Sequence, residues 1–238
     1  MAKRKIRKKA LKKPDEFITF SSKVIAWCRD NMKIVVGAAA VVAFLLIATS
    51  GFFVFRASRE TKARSLYEQA VALYPADSTG NVSPLAYAAS AAKLEEVKQR
   101  YGSTTVGINA LVDLGNIYFQ QAEYDRAITC YNDFLQRTDL SHSLHDQVLE
   151  SLGETQEAKG ELQVALEVYQ RLASEGAPVY KTQAQLYLGR VYESIGDQQE
   201  AIARYQNYLK ENPTALDGEW IRTRLRRWRQ AEIPEQQG

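Results

Sequence analysis

Three stretches of this chain carry the same residues at the same intervals. In each, a Leu-Gly pair is followed by alanine twelve residues after the glycine and by tyrosine four residues later. The glycines are Gly115, Gly153 and Gly189, the alanines Ala127, Ala165 and Ala201, and the tyrosines Tyr131, Tyr169 and Tyr205. Successive copies lie 38 and then 36 residues apart. A period of that size marks one supersecondary unit, which buries its apolar face only by stacking on its neighbours. Small residues at two of the sites let paired helices approach closely, and the aromatic ring fills the space beside them. Gly160 and Gly196 provide the backbone freedom that a sharp turn between two helices needs.

These residues resemble the tetratricopeptide repeat, a helical hairpin. The third copy carries the pattern most fully, adding Tyr192, the Gly196-Asp197 turn and a terminating Pro213. Gln156 and Asp139 depart from it, standing where an aromatic and a proline are usual. The resemblance covers most of residues 60–230. It implies an all-α fold, with a tetratricopeptide α-solenoid closed by a C-terminal capping helix. The residues in excess of the family's period are expected in the joints near Thr138–Ser143 and Ala173–Pro178, loosening the pitch there. Arg59–Tyr74 and Pro84–Tyr101 read as a degenerate first repeat joined by a turn-rich loop over Asp77–Pro84. Asp217–Gln230 reads as the last helix, with Ile221, Leu225 and Trp228 on one stripe and Trp220 beside it. Five arginines keep its other faces polar, as a terminal cap requires.

Ahead of the repeats the charge is segregated. Residues 1–33 hold eleven Lys/Arg and three Asp/Glu, so the rest of a chain of net charge +3 carries −5. Between the two lies Ile34–Phe55, 22 residues without a charged side chain. As a helix this run is about 33 Å long, enough to cross a hydrocarbon layer of about 30 Å. One apolar segment cannot close a barrel, so a single N-terminal transmembrane helix is expected. The run is too long for a cleaved signal peptide, and Phe52–Phe55 continues it past the small residues Ala48–Ser50. The basic tail places the N-terminus in the cytoplasm by the positive-inside rule, although the residues flanking the span are nearly balanced in charge. That puts the protein in a bacterial inner membrane with its repeats in the periplasm. Cys28 and Cys130 then lie in different compartments, and Cys130 reads as a small buried hydrophobe.

Lys3–Lys13 has eight basic residues in eleven positions, expected to meet anionic lipid rather than nucleic acid. Pro14-Asp15-Glu16 reads as a helix start. Phe17, Phe20, Val24, Trp27 and Cys28 then share one face, with Lys23, Arg29 and Asp30 opposite. Such a helix suits the membrane interface or a membrane partner. The expected organisation is 1–33 basic cytoplasmic tail with amphipathic helix, 34–55 transmembrane helix, 56–105 linker helix and degenerate repeat, 106–213 three repeats, and 214–238 capping helix and tail.

No catalytic constellation is found. His142 and His145, the only histidines, have no Cys or acidic cluster to complete a four-ligand metal site. There is no phosphate-binding glycine loop, no HExxH and no CxxC. The chain therefore reads as non-enzymatic and without cofactor. The family resemblance implies a binding face lined by the first helix of each repeat. Its positions are Asn109, Val112, Asn116, Phe119 and Gln120 in the first repeat, Gln147, Glu150, Glu154 and Glu157 in the second, and Gln183, Leu186, Arg190 and Glu193 in the third. Glu150, Glu154 and Glu157 form an acidic stripe at i, i+4, i+7, which mildly destabilises an isolated helix and favours a cationic peptide. A solvated acidic face is the alternative. Asn116 matches one position of the carboxylate clamp of some tetratricopeptide domains, but Glu154 stands where the next asparagine is needed, so that clamp is rejected.

The whole layout is similar to that of the bacterial ancillary subunit of the Sec translocon. That likeness implies a scaffold beside the translocon that contacts a periplasmic chaperone and binds proteins or extended peptides. A cell-envelope assembly or division scaffold has the same layout and is the alternative.

Overall fold

The computed structural model describes residues 16–73 and 83–231. Every regular element among them is an α-helix. In chain order these are α1 (Glu16–Asp30), α2 (Met32–Ala72), α3 (Pro84–Tyr101), α4 (Thr105–Gln120), α5 (Tyr124–Arg137), α6 (His145–Lys159), α7 (Leu162–Glu175), α8 (Pro178–Ile195), α9 (Gln198–Glu211) and α10 (Gly218–Ala231). The basic run Lys3–Lys13, Pro14-Asp15, the loop from Asp77 to Val82 and the tail from Pro234 lie outside the described residues. The chain divides into two units, residues 1–58 and 59–238.

In the second unit, α4–α5, α6–α7 and α8–α9 are antiparallel hairpins, and α5 packs on α6 and α7 on α8. The glycine-to-tyrosine spacing is realised as contact. A Cβ added to Gly115, Gly153 or Gly189 would lie 2.4, 2.3 or 2.6 Å from the ring of Tyr131, Tyr169 or Tyr205. Only hydrogen at that position leaves room for the ring. The three tyrosines and the three alanines before them are all buried. Burying an aromatic side chain removes a large apolar area from water, so these rings anchor each hairpin.

The turns inside the hairpins share one hydrogen-bonding pattern. Gly160 N–H donates to Glu157 O and Glu161 N–H to Gln156 O, both at 2.9 Å. Gly196 and Asp197 repeat this on Glu193 O and Tyr192 O. In the first hairpin Ala122 donates to Phe119 O at 2.9 Å and Glu123 to Tyr118 O at 2.8 Å. This paired closure of a helix C-terminus places one residue in the left-handed region. Gly160 and Gly196 have φ of 88° and 91°, as the sequence predicts. Ala122 occupies the same position with φ of 58°, and no glycine marks it.

Helix starts are set by side-chain oxygens. Thr104 accepts from Gly107 N–H at 3.0 Å, and Glu60 accepts from Thr105 and Val106 N–H, each at 3.0 Å. One carboxylate thus satisfies two otherwise orphaned donors at the positive end of α4. Ser83 caps α3 ahead of Pro84 at N1, and Asp197 caps α9. The extra residues expected at Ala173–Pro178 do not lengthen that joint. Only Gly176 and Ala177 separate α7 from α8, and α8 is 18 residues long where α6 has 15. The joint near Thr138–Ser143 is long, running from the end of α5 to His145.

α10 closes the array. Ile221 is fully buried, and Leu225 and Trp228 pack on the cluster around Tyr205. The Trp220 ring meets Tyr205 edge-on at 5.7 Å and stays half exposed.

In the first unit, α1 exposes Phe20, Val24, Ile25 and Trp27. Asn31 separates α1 from α2 and donates its side-chain amide to Trp27 O at 2.9 Å. α2 is long and apolar enough to cross a membrane, and none of its most apolar 18-residue stretch is buried. A core helix of a soluble protein would be covered. Thr49 returns its hydroxyl to Leu45 O at 2.8 Å, so that donor is satisfied within the helix.

Candidate functional site

The first helices α4, α6 and α8 carry the expected binding positions, and the structure sorts them into three groups. Val112 and Leu186 are buried in the core, 4% and 8% exposed, and line no surface. Asn116, Glu157 and Glu193 accept hydrogen bonds from the buried motif tyrosines: Tyr131 OH at 2.7 Å, Tyr169 OH at 2.8 Å and Tyr205 OH at 2.9 Å. The same ring that fills the space beside the glycine therefore places its hydroxyl on this face. Desolvation on burial, reinforced for Tyr169 and Tyr205 by the neighbouring carboxylate, pushes the pKa of all three phenols far up, so they remain donors.

Two of these acids are shared with the next first helix. Arg190 of α8 reaches Glu157 of α6 at 2.6 Å, and Arg224 of α10 bonds Glu193 of α8. Glu150 accepts from Tyr187 OH of α8. Two of the three carboxylates of the acidic stripe, Glu150 and Glu157, thus have partners within the fold. Glu154 is the exception. Its carboxylate is half-buried, no hydrogen bond reaches it, and burial and then the Glu150 charge raise its pKa, with Arg190 opposing. Asn109 Oδ1 is likewise buried without a partner. Phe119 meets Tyr124 at a centroid distance of 5.9 Å, and Gln120 and Gln147 are exposed. Gln183 lies beside the Tyr187 hydroxyl.

Sequence reasoning missed Tyr67 and Asp113. Tyr67 OH donates to Asp113 at 2.7 Å. With Val71, Leu94, Asn116 and Ile117 they line a cleft of about 210 Å³. Burial raises the Asp113 pKa, and the Tyr67 hydrogen bond opposes that rise. Asp113 is the one charged residue of the stretch Ile108–Tyr118, and that was the available signal.

The histidines have other occupations. His142 Nδ1 accepts from Leu144 N–H at 3.2 Å and packs its ring edge-on against Phe134. His145 is buried at the start of α6, with Arg171 Nη2 3.4 Å from its Nε2. A guanidinium in that place disfavours a metal cation. Cys130 is buried, and its thiol is pushed up to about 11 by desolvation, as suits a structural hydrophobe.

The tetratricopeptide repeat-like domain family matches residues 26–227 of the chain. No curated protein sequence matches. Among solved structures, a tetratricopeptide repeat protein from Parabacteroides merdae is similar, with 18% identity and a TM-score of 0.56. The match covers 70% of this chain and 61% of that one. MamA, at 21% identity and a TM-score of 0.48, is matched over 60% of this chain and 84% of its own. BtubC from P. vanneervenii, at 19% and 0.46, is matched over 75% and 78%. At such identities the likeness to the Parabacteroides protein is one of fold.

Proposed function

Because the chain belongs to the tetratricopeptide repeat-like domain family, whose typical role is non-catalytic protein interaction, we propose that it is a membrane-anchored scaffold for proteins or extended peptides. α2 fixes it in a bacterial inner membrane, with the basic tail on anionic lipid in the cytoplasm and the repeats outside. Anchoring raises the effective concentration of a bound partner at the membrane. The work is that of an ancillary Sec translocon subunit, receiving emerging chains and handing them to a periplasmic chaperone. The division into 1–33, 34–55, 56–105, 106–213 and 214–238 accompanies this reading.

The observation that carries the binding reading is Glu154. A half-buried carboxylate without a hydrogen bond is costly. A lysine or arginine of a bound segment supplies the missing donor. The test is photo-crosslinking from Glu154 and Asn116 of the full-length protein in membranes, followed by purification in mild detergent and mass spectrometry. Recovery of translocon components supports the reading. Recovery of only division or wall-assembly proteins replaces it with an envelope scaffold. A reporter fused after Gly238 tests the orientation, and activity in the cytoplasm overturns it.

A further inference from the structure

At the second and third repeats the fold itself supplies a cation to the face of α4, α6 and α8. Arg190 reaches Glu157 at 2.6 Å, and Arg224 bonds Glu193. Burial drives the phenols of Tyr169 and Tyr205 up, and these guanidiniums oppose the rise. The first repeat is supplied differently. The residue just after Gly153, in the place that Arg190 takes after Gly189, is Glu154. Burial raises the Tyr131 phenol, and Glu154 and Asp113 both add to the rise. The Tyr131 hydroxyl, on Asn116 Oδ1 at 2.7 Å, thus lies in the field of two carboxylates. Among the described residues no ion pair reaches either of them.

Asp113 lines the cleft of about 210 Å³. Sites for small organic molecules have about 300–1,000 Å³, so this one suits a single side chain. Asn116 lines it as well, which puts it on the face already assigned to binding. Val71, Leu94 and Ile117 give it apolar walls. Such walls suit an aliphatic stem, and the carboxylate suits a cationic head. Tyr67 OH holds Asp113 Oδ2 at 2.7 Å, and no other hydrogen bond to this carboxylate is found among the described residues. One oxygen is therefore left. A guanidinium fork binds a carboxylate through both oxygens, whereas an ammonium needs one. Burial raises the Asp113 pKa against the Tyr67 bond, so a cation drawn in also relieves a poorly solvated charge. The segment joining α2 to α3, residues 73–83, contains no lysine or arginine to take this part.

We infer that this cleft is a socket for one lysine side chain of a bound extended segment, its stem against Val71, Leu94 and Ile117 and its ammonium on Asp113. This rests on the scaffold reading above and deepens it, because it names the residue that the segment presents to the first repeat. The partner supplies there the cation that the chain supplies to itself at the next two repeats.

The test uses the full-length protein in nanodiscs and a library of acetylated, amidated nonapeptides. The central position is lysine, arginine, norleucine or acetyl-lysine, and the others are mixed. Peptides retained by the protein are counted by mass spectrometry against those retained by empty nanodiscs. Lysine should exceed norleucine and acetyl-lysine by about five-fold or more, the worth of one charge-assisted hydrogen bond, and should also exceed arginine. Asp113→Asn still accepts from Tyr67, and there the lysine preference should vanish. Val71→Phe fills the cleft without touching the charge, at a position 43% exposed, and should abolish the same preference even if Asp113→Asn does not fold. Circular dichroism melts verify folding. Norleucine or arginine retained as well as lysine overturns the socket, as does a lysine preference that survives the variants. Either result leaves the scaffold standing. Retention no better than by empty nanodiscs refutes the binding of extended segments itself, and the socket with it.

Discussion

Ala122 offers a clean measurement of what the hairpin turns cost. It holds the position taken by Gly160 and Gly196 in the next two repeats, with φ of 58° and the same pair of closing hydrogen bonds. An L-residue in the left-handed region is disfavoured by about 1–2 kcal/mol. Replacing it with glycine removes that strain but loosens the unfolded chain, a loss of about 0.4–1 kcal/mol. Ala122 is exposed, so little packing is lost. Ala122→Gly should therefore stabilise the first hairpin by about 0.5–1 kcal/mol, the difference between the two effects. Native-state hydrogen exchange on the full-length protein in detergent reads this locally. Amides that close the turn, above all that of Glu123, should exchange about two- to five-fold more slowly, the factor that this free energy implies. The mirror experiment is Gly160→Ala or Gly196→Ala. A Cβ added at either meets nothing within 4 Å, so only the backbone strain and the opposing unfolded-chain effect act, and destabilisation by about 0.5–1 kcal/mol is expected. Faster exchange in Ala122→Gly, or no change in Gly160→Ala, would refute the argument.

Gly153→Ala should cost about 1–3 kcal/mol, because its methyl group would sit 2.3 Å from the buried Tyr169 ring; thermal unfolding followed by circular dichroism measures it. Arg190→Met should cost about 1–2 kcal/mol, and a double-mutant cycle with Glu157→Gln should assign most of that to their contact. Glu154 binds protons more tightly folded than unfolded, so its contribution to stability falls as pH rises through the ordinary carboxylate range and toward its raised folded pKa. Glu154→Gln should therefore be more stable than the parent at neutral pH, with the advantage vanishing in acid, as denaturant midpoints at several pH values will show.

Helix order and the capping helix were legible because the Leu-Gly, Ala and Tyr positions each have one packing role. Where a residue type carries the signal alone, sequence and structure agree, as at Gly160 and Gly196. They differ at Ala122, because alanine gives no sign of a left-handed turn. The binding face was less legible. In the sequence its acids form a bare stripe, whereas the reach of the tyrosine hydroxyls and of the next helix's arginine brings partners to Glu150 and Glu157. Those partners lie a whole repeat or a hairpin away in sequence. Val112 and Leu186 were misplaced on that face because family positions fix a helical angle, not the depth to which a given repeat sinks it. The added residues at α8 became helix because Pro178 starts a turn early.

The bridges Arg190–Glu157 and Arg224–Glu193 give the array a joining rule. Each pairs an arginine of one helix (Arg190 just after Gly189, Arg224 after Thr223) with a glutamate four after the glycine of the unit before. The third unit has both halves, Arg190 and Glu193. A duplicate of residues 178–213 spliced ahead of α10 would find matching ends on both sides, so the array can be lengthened there. Between the first and second units the corresponding pair is Phe119 and Glu154, and an extra module inserted at that seam would carry an unmatched charge.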